Sequence, residues 1–461
     1  MDNKFAFGTN KLVMPTGLSQ SFNSVSQPVT SQPANIQPPR KKKVLVWSDA
    51  VIATTGFGVV SKHILKALHE TGLYDIDQLA INYFGDFVDK SEVPYSMVPA
   101  RLNNPNDPYG NQMFLDAIGA KPYDIVFVVN DTFVVEGVSA HISEIKSNKL
   151  NSGQPVFDLV YYFPVDCRFL QRASTMAKAA DRAVAYTEFA KRSAEEAEVN
   201  VTDVIYHGTD IKNFFPVPPE VRNLCRKRFF NIEDPDRFIL VNVNRNNSRK
   251  DIARSILAFK EFRKRVPNSA YYLHTKMVDS PGHGHEIDLG VCIEELGLST
   301  QTDVIFPNAL HPAKGFPIEV LNQLYNAGDA YFTTTLGEGW GLTITEAMAA
   351  GIPVIAPNNT SIPEILGENL DRGYVYPCKE QVYVDNSGYR PYGSMEDIVN
   401  SMMQCYEDWK TQAPRRQEIV SRAKEFVHKY SWEHICKQWV TLFGELGNGN
   451  NANYQMEGEM M

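Results

Sequence analysis

The sequence predicts an α/β fold of two doubly wound, Rossmann-like domains facing each other across a cleft. Three observations carry this. Short apolar runs alternate with amphipathic helical segments in two successive series, the pattern of parallel sheets covered by helices on both faces. A proline-stiffened segment, Phe214-Phe215-Pro216-Val217-Pro218-Pro219, separates the series. Within the second series, residues 330–356 read as strand, glycine-rich turn, helix and strand. Such a unit offers the free backbone N–H groups of a helix N-terminus to an anion.

Composition agrees with this picture. A chain of 461 residues has room for two or three domains and a sizeable core. A hydrophobic fraction of 43% is ordinary for a globular protein. The net charge of −9 argues against binding bulk nucleic acid or an anionic membrane. The six cysteines are scattered without a C-x-x-C pair. They read as free thiols in a reducing compartment, so a cytoplasmic location is expected. No run of about 18 apolar residues predicts a membrane span, and the first residues lack the charged-then-apolar pattern of a secretory signal.

Taken in order, residues 1–40 are a polar, Ser/Gln/Asn/Pro-rich tail expected to be disordered. It ends in Arg40-Lys41-Lys42-Lys43, a solvated basic run or an interaction patch. The first domain, 41–212, opens with strand 44–47, a loop containing Gly56-Phe57-Gly58, and a helix to about Glu70 stopped by Gly72. Strands follow at 76–83, 125–129, 159–163, 183–186 and 204–206, with helices at 112–118, 139–147, 169–180 and 188–198. The second domain, 213–427, alternates strands at 238–243, 270–274, 304–306, 330–334 and 353–356 with helices at 251–266, 289–296, 318–326 and 342–350. In the first of these helices Ile252, Ile256, Phe259 and Phe262 form an apolar stripe. Residues 378–393 carry no readable pattern. From Met395 a helical region runs to about Phe443, broken near Pro414, and 447–461 is expected to be a disordered tail.

Ligands of such folds sit beyond the carboxyl ends of the strands. The loops at Gly56, Asp166, Arg245 and Glu338 all follow strands, so they can converge on one cleft. Arg245 and Lys250 sit in a loop between strand and helix, where a guanidinium fork and a point charge can hold a phosphate; the bland alternative is a polar surface turn. Glu338 stands among Gly337, Gly339 and Gly341, an odd place for a carboxylate that serves only solubility. Glu346 closes the pattern Thr343-x-x-Glu346, so it is either a ligand contact or half of a capping box. Asp166 either contacts a substrate hydroxyl or caps the next helix. His274, His283 and His285 are a weak metal pattern, and Asp75-x-Asp77 and Asp234-x-Asp236 are triplets that arise easily by chance.

These residues resemble a known family. Glu338-x7-Glu346, in EGWGLTITEAMAAGIPVIA, is similar to the signature of the family 4 retaining glycosyltransferases of the GT-B fold. Val204 to Pro216 resembles that family's interdomain segment, Arg245 with Lys250 its diphosphate clamp, and Gly56-Phe57-Gly58 its first glycine loop. Tyr186 to Ala190 resembles one of its strand ends, and Tyr430-Ser431-Trp432 the start of its helix that crosses back to the first domain, here 428–446. Asn244, His207 and Asn308 depart from residues common in the family.

The resemblance implies transfer of a sugar from a nucleotide diphosphate sugar with retention of configuration and no obligatory metal or other cofactor. It places Glu338 on donor-sugar hydroxyls, Glu346 on the ribose, and Arg245 and Lys250 on the departing diphosphate. N–H groups of Gly339, Trp340, Gly341, Leu342 and Thr343 assist there. Gly56, Phe57, Gly58 and Asn308 complete the donor site, and Asp166 falls where many members touch the donor sugar. The acceptor stays open among a glycan, a lipid-linked glycan, a protein, a small molecule and modified DNA, and peripheral membrane association is compatible with each. Two other classes compete: a non-catalytic nucleotide-sugar-binding scaffold, and a sugar-nucleotide epimerase on the same fold.

Overall fold

Val44 to Trp47 are all at most 3% exposed, so the first strand is covered on both faces, as a central parallel strand must be. The computed structural model describes residues 40–102, 104–168, 173–278, 287–307, 316–384 and 388–447. Among them seven strands form one parallel sheet: β1 (Lys42–Asp49), β2 (Tyr74–Ile81), β3 (Ser96–Pro99), β4 (Ile125–Val129), β5 (Asp158–Phe163), β6 (Arg182–Ala185) and β7 (Asp203–Val204). Their spatial order is β3-β2-β1-β4-β5-β6-β7. Six more form a second parallel sheet: β8 (Phe238–Val243), β9 (Ser269–His274), β10 (Val304–Ile305), β11 (Ala330–Phe332), β12 (Val354–Asn358) and β13 (Tyr374–Pro377). The order is β10-β9-β8-β11-β12-β13, the same winding as the first. Each sheet therefore has one switch point, at β1/β4 and at β8/β11, where the loops part and leave a crevice.

The packing follows the predicted stripes. Ile252, Ile256, Phe259 and Phe262 on the helix Ile252–Arg265 are buried against the second sheet. The C-terminal helix Trp432–Glu445 docks instead on the first sheet. Its Trp432 stacks on His63 at 4.5 Å, and Trp439 packs against Phe127 at 5.2 Å and Tyr162 at 4.7 Å. Large aromatic surface drives this crossing. Gly208 sits where the interdomain segment passes beneath it: a Cβ there would lie 2.5 Å from the Trp432 Cα. Thr209 N donates to Tyr430 O and Trp432 N to Thr209 O, fastening the two passages.

Some expectations change. The expected helix 139–147 is two helices, Thr132–Ser139 and Ile142–Asn151, with the break at Ala140-His141. The prolines at the boundary do not only stiffen it: Pro219 opens the helix Pro219–Phe230, a position where the missing N–H costs nothing. The unreadable segment forms an antiparallel hairpin, β14 (Glu380–Tyr383) and β15 (Tyr389–Tyr392). The expected disorder of residues 1–39 and 448–461 lies outside the described residues. All six cysteines are free thiols. Among the described residues no helix is long and apolar enough to cross a membrane.

Candidate active site

The second switch point is built by two loops, one after β8 and one after β11, tied edge to edge. Leu336 N donates to Arg249 O at 2.8 Å, and the Thr334 hydroxyl to Asp251 O at 2.7 Å. In the first loop Asn247 caps the short 3-10 turn Ser248–Lys250 through the Lys250 N–H. In the second, three hydroxyls hold the glycine turn. Thr335 donates to Gly337 O, Thr360 accepts from Glu338 N, and Ser361 donates to both Glu338 O and Trp340 O. Satisfying each backbone group this way lets an irregular turn be buried.

These loops supply three members, Arg249, Lys250 and Glu338, of a chain of five charges completed by Asp166 and Arg390. Lys250 Nζ lies 2.6 Å from Glu338 Oε1, and Arg249 Nη1 3.1 Å from Glu338 Oε2. Arg249 Nε lies 3.1 Å from Asp166 Oδ2, and Arg390 Nη2 3.1 Å from Asp166 Oδ1. Three cations face two carboxylates, an excess of positive charge that suits an anion. Burial works to raise the Glu338 carboxyl, but Lys250 and Arg249 together outweigh it and hold it down at about 2. Glu338 is therefore a fixed carboxylate at neutral pH.

Above this chain the helix Leu342–Ala349 starts at Gly341, φ 114°, with no side chain capping its first turn. Its leading N–H groups remain for a ligand. The capping-box reading fails here. Thr343 lies inside the helix with its hydroxyl 2.8 Å from the Tyr331 hydroxyl, and Glu346 accepts from Tyr325 at 2.7 Å. Burial lifts the Glu346 carboxyl to about 7, with the Tyr325 hydrogen bond opposing. The helix Gly56–Glu70 of the first domain points its own N-terminus at the same place. A Cβ on Gly56 would lie 3.7 Å from Leu342 Cδ1. That N-terminus is capped by Thr55, which accepts from Gly58 N, and Phe57 packs into the first domain's core.

The first domain approaches the glycine turn through Pro164 to Asp166. A Cβ on Gly339 would meet Pro164 Cβ at 2.9 Å, and one on Gly337 would fall 2.0 Å from Asp166 O. Only glycine allows this contact. Asp166 is thus held by two arginines. Asp49 ends β1 and Asp131 follows β4 at the first switch point. Burial, then the charge of Asp166, raises Asp131 to about 7, and burial raises Asp49 against its hydrogen bonds from Thr55 and Asn82 and the charge of Arg245.

Of the residues singled out from sequence, Glu338, Lys250 and Asp166 come together in one network, beside Gly339, Gly341, Leu342 and Thr343. Arg245 is exposed and carries no ion pair among those found between described residues. Trp340 is buried and packs on Tyr206 at 4.9 Å, so its side chain is structural. Its Nε1, the Tyr186 hydroxyl and Arg390 Nε are buried donors without partners among the described residues. Asn308, His283 and His285 lie outside the described residues. No group of three or more His, Cys, Asp or Glu that could hold a metal occurs among the described residues. Sequence reasoning missed Arg249, although it adjoins Lys250, and Arg390, although Asn386-Ser387-Gly388 between Tyr383 and Tyr389 is hairpin chemistry.

Residues 226–385, which hold the whole network except Asp166 and Arg390, match the family model of the glycosyl transferases group 1. Over this stretch the chain is similar to that family. The chain is 32% identical over 127 residues to O-antigen chain mannosyltransferase B of Escherichia coli, 28% of each chain. It is 22% identical over 246 residues to α-maltose-1-phosphate synthase of Mycobacterium tuberculosis, 53% of this chain and 57% of that one. The aligned parts thus span between about a quarter and just over half of these relatives. In structure it is similar to sucrose-phosphate synthase of Thermosynechococcus elongatus, with TM-score 0.64 at 16% identity over 88% of this chain and 99% of that one. It is also similar to Anabaena HepE in complex with UDP-glucose, with TM-score 0.61 at 17% identity over 88% and 100%. Both likenesses establish the GT-B fold.

Proposed function

We propose that the protein transfers a glycosyl group from a nucleoside diphosphate sugar to an acceptor hydroxyl, with retention of anomeric configuration. The observation that carries this is the Lys250–Glu338–Arg249 constellation beneath the uncapped start of the helix Leu342–Ala349. Fixed cations and N–H groups stabilise charge that grows on a leaving diphosphate more than they stabilise the intact donor. Glu338 accepts hydrogen bonds from the donor sugar, and Glu346 from the ribose. Lys250 and the N–H groups of Leu342 and Thr343 take the diphosphate, and the exposed Arg245 turns onto it from the cleft mouth. The anomeric C–O bond to phosphate breaks with its electron pair leaving on the diphosphate. The acceptor oxygen bonds to the same face and its proton passes to a departing phosphate oxygen. Residues 41–212 form the acceptor side, 213–427 the donor side, and 428–446 the crossing helix.

The test is a panel of UDP-, GDP- and ADP-sugars, with UDP-glucose first because it is bound in the HepE structure. Nucleoside diphosphate release is followed with and without EDTA. One donor is expected to be consumed slowly without acceptor, unchanged by EDTA and lost in Glu338→Gln. Binding with wild-type turnover in Glu338→Gln contradicts the reading.

A further inference from the structure

The hairpin β14–β15 delivers one side chain to the centre of the site. Arg390 is 4% exposed, and it grips a single residue twice: Nη1 donates to Asp166 O at 2.6 Å and Nη2 to Asp166 Oδ1 at 3.1 Å. Main chain and side chain of Asp166 are fixed by one planar group, which a lysine ammonium does not reproduce. The hairpin itself is anchored to the second domain. Asn359 Nδ2 bonds to both Thr335 O at 3.0 Å and Pro391 O at 3.4 Å. The Arg254 guanidinium lies 4.1 Å over the Tyr392 ring and pairs with Asp251, beside Lys250. Arg390 therefore belongs to the donor half of the molecule, while Asp166 follows β5 in the other half. The Gly337 turn lies between them, with a Cβ there 3.0 Å from Arg390 Nη1.

We propose that Arg390 is a positioning residue that clamps the Asp166 loop onto the glycine turn, setting the geometry between the two halves of the site. The inference rests on the transferase reading for its kinetic consequence but not for the contact itself. Arg249 takes the remaining Asp166 oxygen, so the carboxylate is spanned by two guanidiniums and cannot rotate away. Arg390 Nε stays buried without a partner among the described residues, so Asp166 does not exhaust its donors.

The experiment compares Arg390→Ala, Arg390→Lys and the exposed control Tyr389→Ser in the full chain. Donor turnover is measured with and without millimolar guanidinium, and amide hydrogen exchange is measured at 165–168. Misplacement of about 1 Å costs about 10²-fold. The expected result is a kcat lower by about that factor in Arg390→Ala, with donor KM changed less than about threefold. Partial recovery with guanidinium, little gain in Arg390→Lys, and faster exchange at 165–168 complete it. Wild-type kcat in Arg390→Ala, or a loss that guanidinium does not recover, overturns the positioning role. If the wild-type chain turns over no sugar nucleotide, the transferase reading fails and exchange alone decides: unchanged protection at 165–168 in Arg390→Ala overturns the clamp, and faster exchange there supports it.

Discussion

Lys250 Nζ and Glu338 Oε1 are 2.6 Å apart, although 88 positions separate them in the chain. Their side chains are only 12% and 10% exposed, so the pair is largely desolvated. Neither charge stands alone, because Arg249 completes the Glu338 carboxylate from its other oxygen. The arrangement keeps a carboxylate ionised in a closed site and leaves Lys250 with two further donors.

Arg249 and Arg245 should behave oppositely. Arg249→Ala leaves Asp166 and Glu338 each short of one partner in a partly buried network, where a charge-assisted hydrogen bond is worth about 1.5–3 kcal/mol. Arg249→Ala is expected to lower the melting temperature by several degrees. Arg245→Ala is expected to leave it unchanged and to weaken donor turnover only. Thermal unfolding of both variants checks this, and equal melting temperatures contradict it.

Glu346 sets a pH dependence. Its carboxyl titrates at about 7 in the fold, against 4.5 for an ordinary glutamate. Folding thus favours its protonated form. That contribution is complete below the unfolded value and is lost as pH rises through 7. A ribose diol needs the ionised form as acceptor. Donor KM is therefore expected to fall between about pH 6 and pH 8, and the trend to vanish in Glu346→Gln. A flat profile in the wild type removes Glu346 from ribose binding.

Gly337→Ala places a methyl against the Asp166 carbonyl, a main-chain atom that cannot swing aside. The loop after β5 must then lift from the turn. Donor turnover is expected to fall about 10²-fold, with Gly119→Ala, exposed on the helix Asn111–Ala120 with nothing near its added methyl, as the surface comparison. Wild-type turnover in Gly337→Ala means that the contact between the halves is dispensable.

The two windings and the position of the central stretch were legible because both are local patterns. Buried strands read as apolar runs, and Gly337 to Gly341 announces a turn before a helix. The network was less legible. Arg245 matches the family spacing, yet Arg249 reaches Glu338, because the 3-10 turn Ser248–Lys250 rotates the loop and sequence alone does not give that rotation. The sequence leaves Glu346 as either a ligand contact or half of a capping box, and the helix, capped at Gly341, moves Thr343 inside it and removes the second reading. Arg390 was invisible because its partner, Asp166, lies 224 positions away in a loop that follows a strand of the other sheet. Long-range charge pairing leaves no periodic trace in a sequence.

The most direct test of the donor site is calorimetric titration of the nucleoside diphosphate released by the active donor into wild type and Lys250→Ala. A charge-assisted hydrogen bond to the diphosphate is worth about 1.5–3 kcal/mol. Lys250→Ala is therefore expected to bind about 10- to 150-fold more weakly. Equal affinity in the two proteins would mean that the diphosphate lies elsewhere, and the Lys250–Glu338 pair would then be structural only.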